Sequence, residues 1–222
     1  MSQSERHTLL DLLLDALYPH DVACALCGRE ALLNEDRLCE RCRTSLVPSP
    51  ALICPGGLDG IAAAYRYAGG ARDGVHALKY QNQVRLAPFF ASAITIPADW
   101  QIDCVVPVPL HPLKRWLRSY NQSDCIAAEL CKRYGLKQQN KLLRRTRFTK
   151  SQTTLNGFER AKNVSSAFLA SPEVRGRTIL LVDDVTTTHS TLLACASALR
   201  AAGAAKVYAA CATAATHGAD QE

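Results

Sequence analysis

From residue 60 onward, apolar runs alternate with stretches of 3.6-residue periodicity, the order expected of a parallel sheet with crossover helices. IAAAYRY at 61–67, CVVPVPL at 104–110, TILLVDD at 178–184 and AKVYAACATA at 205–214 predict strands. GARDGVHALKY at 70–80, VRLAPFFASAI at 84–94, NQSDCIAAELCKRYG at 121–135 and STLLACASALRAAG at 190–203 predict helices, the third stopping at Gly135. The fold class expected is α/β, a doubly wound parallel sheet over residues 60–216. Ahead of it, Leu9, Leu10, Leu13 and Leu17, with Leu12, Leu14 and Ala16, suit a short amphipathic helix within residues 1–20. The proline- and glycine-rich stretch 48–59 reads as a linker, and the acidic end 217–222 as a frayed tail.

Between that helix and the linker, residues 21–47 are polar and too short for a core of their own. They hold Cys24 and Cys27, then, after eleven residues, Cys39 and Cys42. Two thiolates two residues apart can grip one ion from a tight turn, and a second such knuckle completes a tetrahedral site that suits Zn2+. A small zinc-ribbon-like module stabilised by its metal is therefore expected, against the plainer alternative of chance core thiols.

At 222 residues the chain accommodates one full α/β domain plus a small appendage, and 48% hydrophobic against 21% charged residues permits a sizeable core. No apolar run approaches the roughly 20 residues of a membrane span, and Asp11 and Asp15 interrupt the leucine-rich start, so neither a signal peptide nor membrane insertion is expected. Ten cysteines without a secretion signal point to a reducing compartment, and the cytoplasm is the expected location. The net charge of +6 is uneven: residues 111–162 hold 13 Lys/Arg against 3 Asp/Glu. There Trp116, Tyr120, Tyr134 and Phe148 are interleaved with Lys132, Arg133, Arg144, Arg145, Arg147 and Lys150. Such a mixture suits phosphate contacts and base stacking on single-stranded DNA, although the aromatics equally suit a core. Arg29, Arg37, Arg41 and Arg43 around the knuckles are a second candidate surface for nucleic acid.

The stretch TILLVDDVTTTHSTL at 178–192 carries the most specific chemistry. An apolar strand ends at Asp183 and Asp184, and a loop with Thr186, Thr187, Thr188, His189, Ser190 and Thr191 leads into a helix. In open parallel sheets ligands sit beyond the carboxyl ends of strands, and the first amides of a helix attract phosphate. Hydroxyls supply neutral donors to the anion, and carboxylates accept from sugar hydroxyls, so the order fits a ribose 5-phosphate. The bland alternative is that two acids end a strand and Ser190 caps a helix.

This stretch resembles the phosphoribosyl diphosphate (PRPP) signature of type I phosphoribosyltransferases, which is four apolar residues, two acids, a variable pair, then T-G-x-T. The resemblance implies that Asp183 and Asp184 take the ribose and that Thr187, Thr188, His189, Ser190 and Thr191 take the 5-phosphate, with Thr186 beside them in the PRPP site. His189 stands where that family has glycine, which permits a left-handed backbone. Either the loop bears that strain, or the imidazole adds a phosphate contact, or phosphate binding is weakened.

Three further blocks are similar to the ComF family: VVPVPLHPLKRWLRSYNQS at 105–123, LLRRTRFTKSQTTLNGFERAKNVSSAF at 142–168, and LYPHDVACALC at 17–27. HALKY at 76–80 resembles that family's L-K-Y element, while Ser119 and Tyr120 replace its glycine and phenylalanine. The resemblance implies a cytoplasmic protein of type I phosphoribosyltransferase fold with a four-cysteine zinc module, acting in the import of transforming DNA in competent bacteria. Its implied ligands are PRPP with Mg2+ and single-stranded DNA, and its implied partners include a DNA-translocation helicase or other uptake proteins. His111, Lys114, Arg115 and Arg118 are pyrophosphate-loop candidates, with solvated surface charge as their alternative. Gln152, Arg160 and Asn163 are candidates for a lid over the ligand. Phosphoribosyl transfer passes through an oxocarbenium-like ribose and needs no nucleophile, so no catalytic residue is assigned. An active phosphoribosyltransferase on an unidentified base or amine in nucleotide salvage, and a protein-interaction scaffold with a vestigial phosphate loop, remain as alternatives.

Overall fold

The computed structural model describes residues 23–35, 37–110, 120–146 and 167–215. In chain order the elements are α1 (Glu40–Thr44), β1 (Gly60–Arg66), α2 (Gly69–Tyr80), α3 (Leu86–Ala93), β2 (Cys104–Pro107), α4 (Gln122–Tyr134), β3 (Leu143–Arg145), β4 (Phe168–Ala170), a 3-10 turn (Pro172–Val174), β5 (Thr178–Thr186), α5 (Ser190–Ala201) and β6 (Lys206–Ala214). Each strand and helix expected from residue 60 onward is present. The antiparallel pair β3–β4 is additional, since three-residue strands carry too little alternation to be read from sequence. The expected 1–20 helix and 217–222 tail lie outside the described residues.

β1, β6, β5 and β2 form, in that order, an all-parallel sheet. Alternate residues of its strands go to opposite faces, and both faces are covered, which is why the strands read as nearly unbroken apolar runs. Val105, Leu180, Val182, Tyr208 and Ala210 pack under α2, α3 and α4. Val106, Ile179, Leu181, Val207 and Ala209 pack under α5 and the β3–β4 pair. No helix among the described residues is long and apolar enough to cross a membrane.

Both sheet edges are covered. Along β2, the amides of Val105 and Gln139 exchange hydrogen bonds with the carbonyls of Lys137 and Val105. Along β1, the Ser49 amide donates to Ala64 and the Arg66 amide to Val47, both within 2.9 Å. The stretch expected to be a linker thus begins as an antiparallel cover on an otherwise open edge, which its extended, proline-containing backbone suits. The four-cysteine segment is docked in turn on α2. Leu26 and Leu38 belong to the same buried cluster as the sheet, and Ser45 Oγ accepts from the Gly70 amide at 3.0 Å. The docking relies on Gly74, where a Cβ would come within 2.3 Å of the Leu26 side chain.

One expectation needs correction. Asp183 and Asp184 were expected to end their strand, but β5 continues through Thr186, whose register partner is Ala214 of β6. Backbone pairing with β6 outweighs the polarity of the side chains, because the edges of those side chains reach the open end of the sheet. Within this extension the two-residue alternation turns the two carboxylates to different sides.

Candidate functional site

The β5-to-α5 crossing sets the geometry of the site. His189 immediately precedes α5 with φ 58° and ψ 1°, the left-handed conformation that a glycine adopts freely. The turn needs that conformation to swing from the strand into the helix axis, so the histidine occupies a glycine-type position. Its Nδ1 lies 2.8 Å from Thr186 Oγ1, and Thr188 Oγ1 lies 2.8 Å from Ser190 Oγ. The N-cap residue His189 makes no side-chain capping hydrogen bond, so first-turn amides of α5 can donate to another acceptor. Asp183, Val185 and residues 186–192 line an open concavity of about 50 Å3 at this point. The loop predicted for the 5-phosphate is therefore assembled as one surface, with hydroxyls and helix-end amides together.

Asp183 lines this concavity, whereas Asp184 is turned to the other side of the strand, and the two have different partners. Asp183 Oδ1 accepts from Ser123 Oγ and from the Asp184 amide, both at 2.9 Å. Asp184 is 7% exposed and forms an ion pair at 2.9 Å with Lys79 of α2, while Thr213 Oγ1 donates to its backbone carbonyl. Burial, followed by the neighbouring Asp184 charge, raises the Asp183 carboxyl from 3.8 to about 7, and Ser123, the Asp184 amide and Lys79 oppose that rise. Carboxylates at the end of a strand can accept hydrogen bonds from hydroxyl groups.

Lys79 and Ser123 were not singled out as site residues, although HALKY and the end of the 105–123 block contain them. A lysine on a helix flank does not announce a partner across the sheet. Ser123 is brought in by Asn121, whose Oδ1 caps α4 by accepting from the Ser123 amide while its Nδ2 donates to Val108 beyond β2. That cap fixes the start of α4 over the strand end, next to Asp183.

The other predicted residues divide. His111, Lys114, Arg115, Arg118, Arg147, Lys150, Gln152, Arg160 and Asn163 lie outside the described residues. Lys132 is exposed and paired with Glu129 at 2.7 Å. Arg133 donates to the carbonyls of Ala91 and Ile94 at 3.1 Å and to that of Ser92, so its guanidinium closes the C-terminus of α3. Arg144 is exposed on β3, whereas the Arg145 guanidinium lies 5.3 Å from the Phe168 ring centre. Lys132 and Arg133 are on α4 and Arg144 and Arg145 on β3, elements that cover opposite faces of the sheet, so these four do not form one surface on one face.

Cys24, Cys27, Cys39 and Cys42 converge, their Sγ atoms all within 4.8 Å of one another. A tetrahedral zinc–thiolate centre has Sγ atoms about 3.8 Å apart, close to the 3.9 Å between Cys27 and Cys39. The Cys39 amide donates to Cys24 Sγ at 3.3 Å and the Cys42 amide to Cys39 Sγ at 3.4 Å. Burial pushes the Cys24 thiol up, but backbone hydrogen bonds from Cys39, Cys27 and Leu26 outweigh it and lower it from 9.0 to about 6. Burial and the neighbouring thiols push Cys42 far up instead. Four thiolates this close require a cation between them, so the cluster can hold a metal and its sulfur chemistry suits zinc.

A family model for the phosphoribosyl transferase domain matches residues 135–222, which include β5, the loop and α5. Competence protein F of Haemophilus influenzae is 32% identical over 108 residues, and the match spans 47% of each chain, about half the length of that relative. DNA utilization protein YhgH of Escherichia coli K12 is 29% identical over 201 residues, covering 85% of this chain and 88% of that one. Among solved structures, the glutamine PRPP amidotransferase from B. subtilis complexed with ADP and GMP aligns over 66% of this chain and 28% of that chain, with 19% identity and a TM-score of 0.39. The chain is thus similar to competence and DNA-utilization proteins, its residues 135–222 match the phosphoribosyl transferase domain, and a four-cysteine cluster lies ahead of that domain.

Proposed function

We propose that this protein binds PRPP at the 183–191 loop and acts on DNA as a utilization or uptake factor in the cytoplasm. The observation that carries the ligand is the joining of a half-buried and a buried carboxylate, Asp183 and Asp184, to a hydroxyl-lined helix N-terminus whose N-cap side chain makes no capping hydrogen bond. Asp183 and Asp184 accept from the ribose hydroxyls. Amides of the first turn of α5, with Thr187, Thr188, Ser190 and Thr191, hold the 5-phosphate. Mg2+ arrives with the diphosphate, whose charge it neutralises, and is not bound by a dedicated cage of protein ligands. Zn2+ in the four-cysteine cluster is structural, because four thiolates leave no open coordination position.

The DNA role draws on the relatives named for competence and DNA utilization and on the excess positive charge of residues 111–162. Single-stranded DNA contacts the exposed side of β3, where Arg144 stands, and the nearby sequence adds the charges of Arg147 and Lys150. Arg133 contributes through α3, not through phosphate. Calorimetric titration with PRPP and Mg2+ tests the ligand: wild type gives saturable heat, and Asp183→Asn/Asp184→Asn loses it. No heat from wild type sinks this reading. For DNA, Arg144→Glu/Lys150→Glu should weaken salt-dependent binding of an oligonucleotide, and undiminished binding removes the path proposed.

A further inference from the structure

We propose that Lys79 is the residue that senses the 1-diphosphate of the ligand, and so distinguishes PRPP from ribose 5-phosphate. This rests on the ribose-phosphate reading of the loop and adds to it a residue on a different element. Lys79 lies in the last turn of α2, with Val75 and Leu78 buried in the core beside it. Its side chain is 21% exposed and crosses from the helix to the open end of β5, where Nζ meets Asp184 Oδ1 at 2.9 Å. Its ion pair is with Asp184 alone, while Asp183 is held by Ser123 and the Asp184 amide.

Chemistry then decides what this cation does. Asp184 is nearly buried, so its charge needs a partner, and Lys79 supplies one. A ribose hydroxyl that donates to Asp184 takes over part of that role. In PRPP the diphosphate is carried on C1, directly beside the C2 hydroxyl, so a sugar held by the carboxylates brings a strongly negative group to where Lys79 already stands. Lysine is a compact charge on a flexible four-carbon stem with three rotatable donors, able to turn from a carboxylate to a phosphate without backbone movement. Asp183 offers no comparable exchange, because Ser123 and the Asp184 amide hold its Oδ1 as neutral donors. Lys79 therefore retains the carboxylates in shape and passes to the diphosphate on binding. Ribose 5-phosphate, lacking that group, gives Lys79 no second anion.

The test is calorimetric titration of the full chain, zinc-loaded and with Mg2+ present, using PRPP and ribose 5-phosphate in parallel. Lys79→Met and Lys79→Gln are expected to lose about 10- to 100-fold in PRPP affinity and less than about threefold for ribose 5-phosphate, with Lys79→Arg in between. The glutamine keeps a donor for Asp184, so the comparison stands even where the methionine variant does not fold. Equal losses for both ligands, or none for PRPP, overturn the proposal and leave Lys79 a structural partner of Asp184. Wild type that binds ribose 5-phosphate but not PRPP overturns it while leaving the ribose-phosphate loop intact. Wild type that binds neither overturns both.

Discussion

His189 holds a left-handed backbone at φ 58° that most side chains adopt only at a cost on the order of 1 kcal/mol. Of the three accounts the sequence left open, the structure gives direct support to strain, while the imidazole is turned to Thr186 within the loop. His189→Gly removes that cost and His189→Ala retains it. Chemical denaturation should find the alanine variant about 1 kcal/mol less stable than the glycine variant, and equal stabilities would contradict the strain. Asp183 gives a second prediction, on pH. Its folded carboxyl is raised above its ordinary value, so the folded chain keeps a proton that the unfolded chain has lost between about pH 4 and 7. The contribution is present below that window and is lost as pH rises through about 7. Asp183→Asn, with Asp184, Lys79 and Ser123 intact, should therefore gain stability relative to wild type from pH 5.5 to 7, by at most about 1.4 kcal/mol per pH unit, and level off above. A difference that does not change with pH in urea titrations refutes it. Asp183 and the hydroxyl residues were legible because one short segment contains them all. Lys79 and Ser123 were not, because their roles arise only when α2 and α4 are laid against the end of β5.

At the scale of elements, β5 and α5 were readable because both faces of the strand and one face of the helix are buried, which leaves long apolar periodicities. The extent of β5 past its carboxylates was not, since backbone pairing with β6 leaves no trace in side-chain type. The contact between the cysteine segment and α2 was equally hidden: it depends on Gly74, which in sequence looks like an unfavourable residue in a helix. Gly74→Ala places a methyl against Leu26 and Phe90 and should cost about 1–3 kcal/mol by urea denaturation. In a Leu26→Ala background the same Gly74→Ala change should cost less. A loss that is simply additive in the double variant would show that the two residues do not meet.

At the scale of the molecule, the four-cysteine cluster and the sheet share one buried cluster, in which Cys24, Leu26, Leu38 and Cys42 adjoin Val75 and Phe90. The metal that holds the four thiolates consequently supports the packing on α2 as well as its own loops. Elemental analysis should give one zinc per chain, and a strong chelator should lower the thermal midpoint of the whole protein until zinc is restored. An unchanged midpoint would mean that the segment is tethered but not coupled. The spacing of the cysteines foretold their convergence, whereas nothing in it foretold this shared core.

The central claim is that one loop joins a ribose to a phosphate. A crystal structure of the protein with PRPP and Mg2+, its metals identified by anomalous scattering, tests it most directly. The account predicts the ribose hydroxyls on Asp183 and Asp184, the 5-phosphate at the N-terminus of α5 among Thr187, Thr188, Ser190 and Thr191, and zinc confined to the four cysteines. PRPP bound elsewhere on the chain, with residues 183–191 untouched, would contradict it.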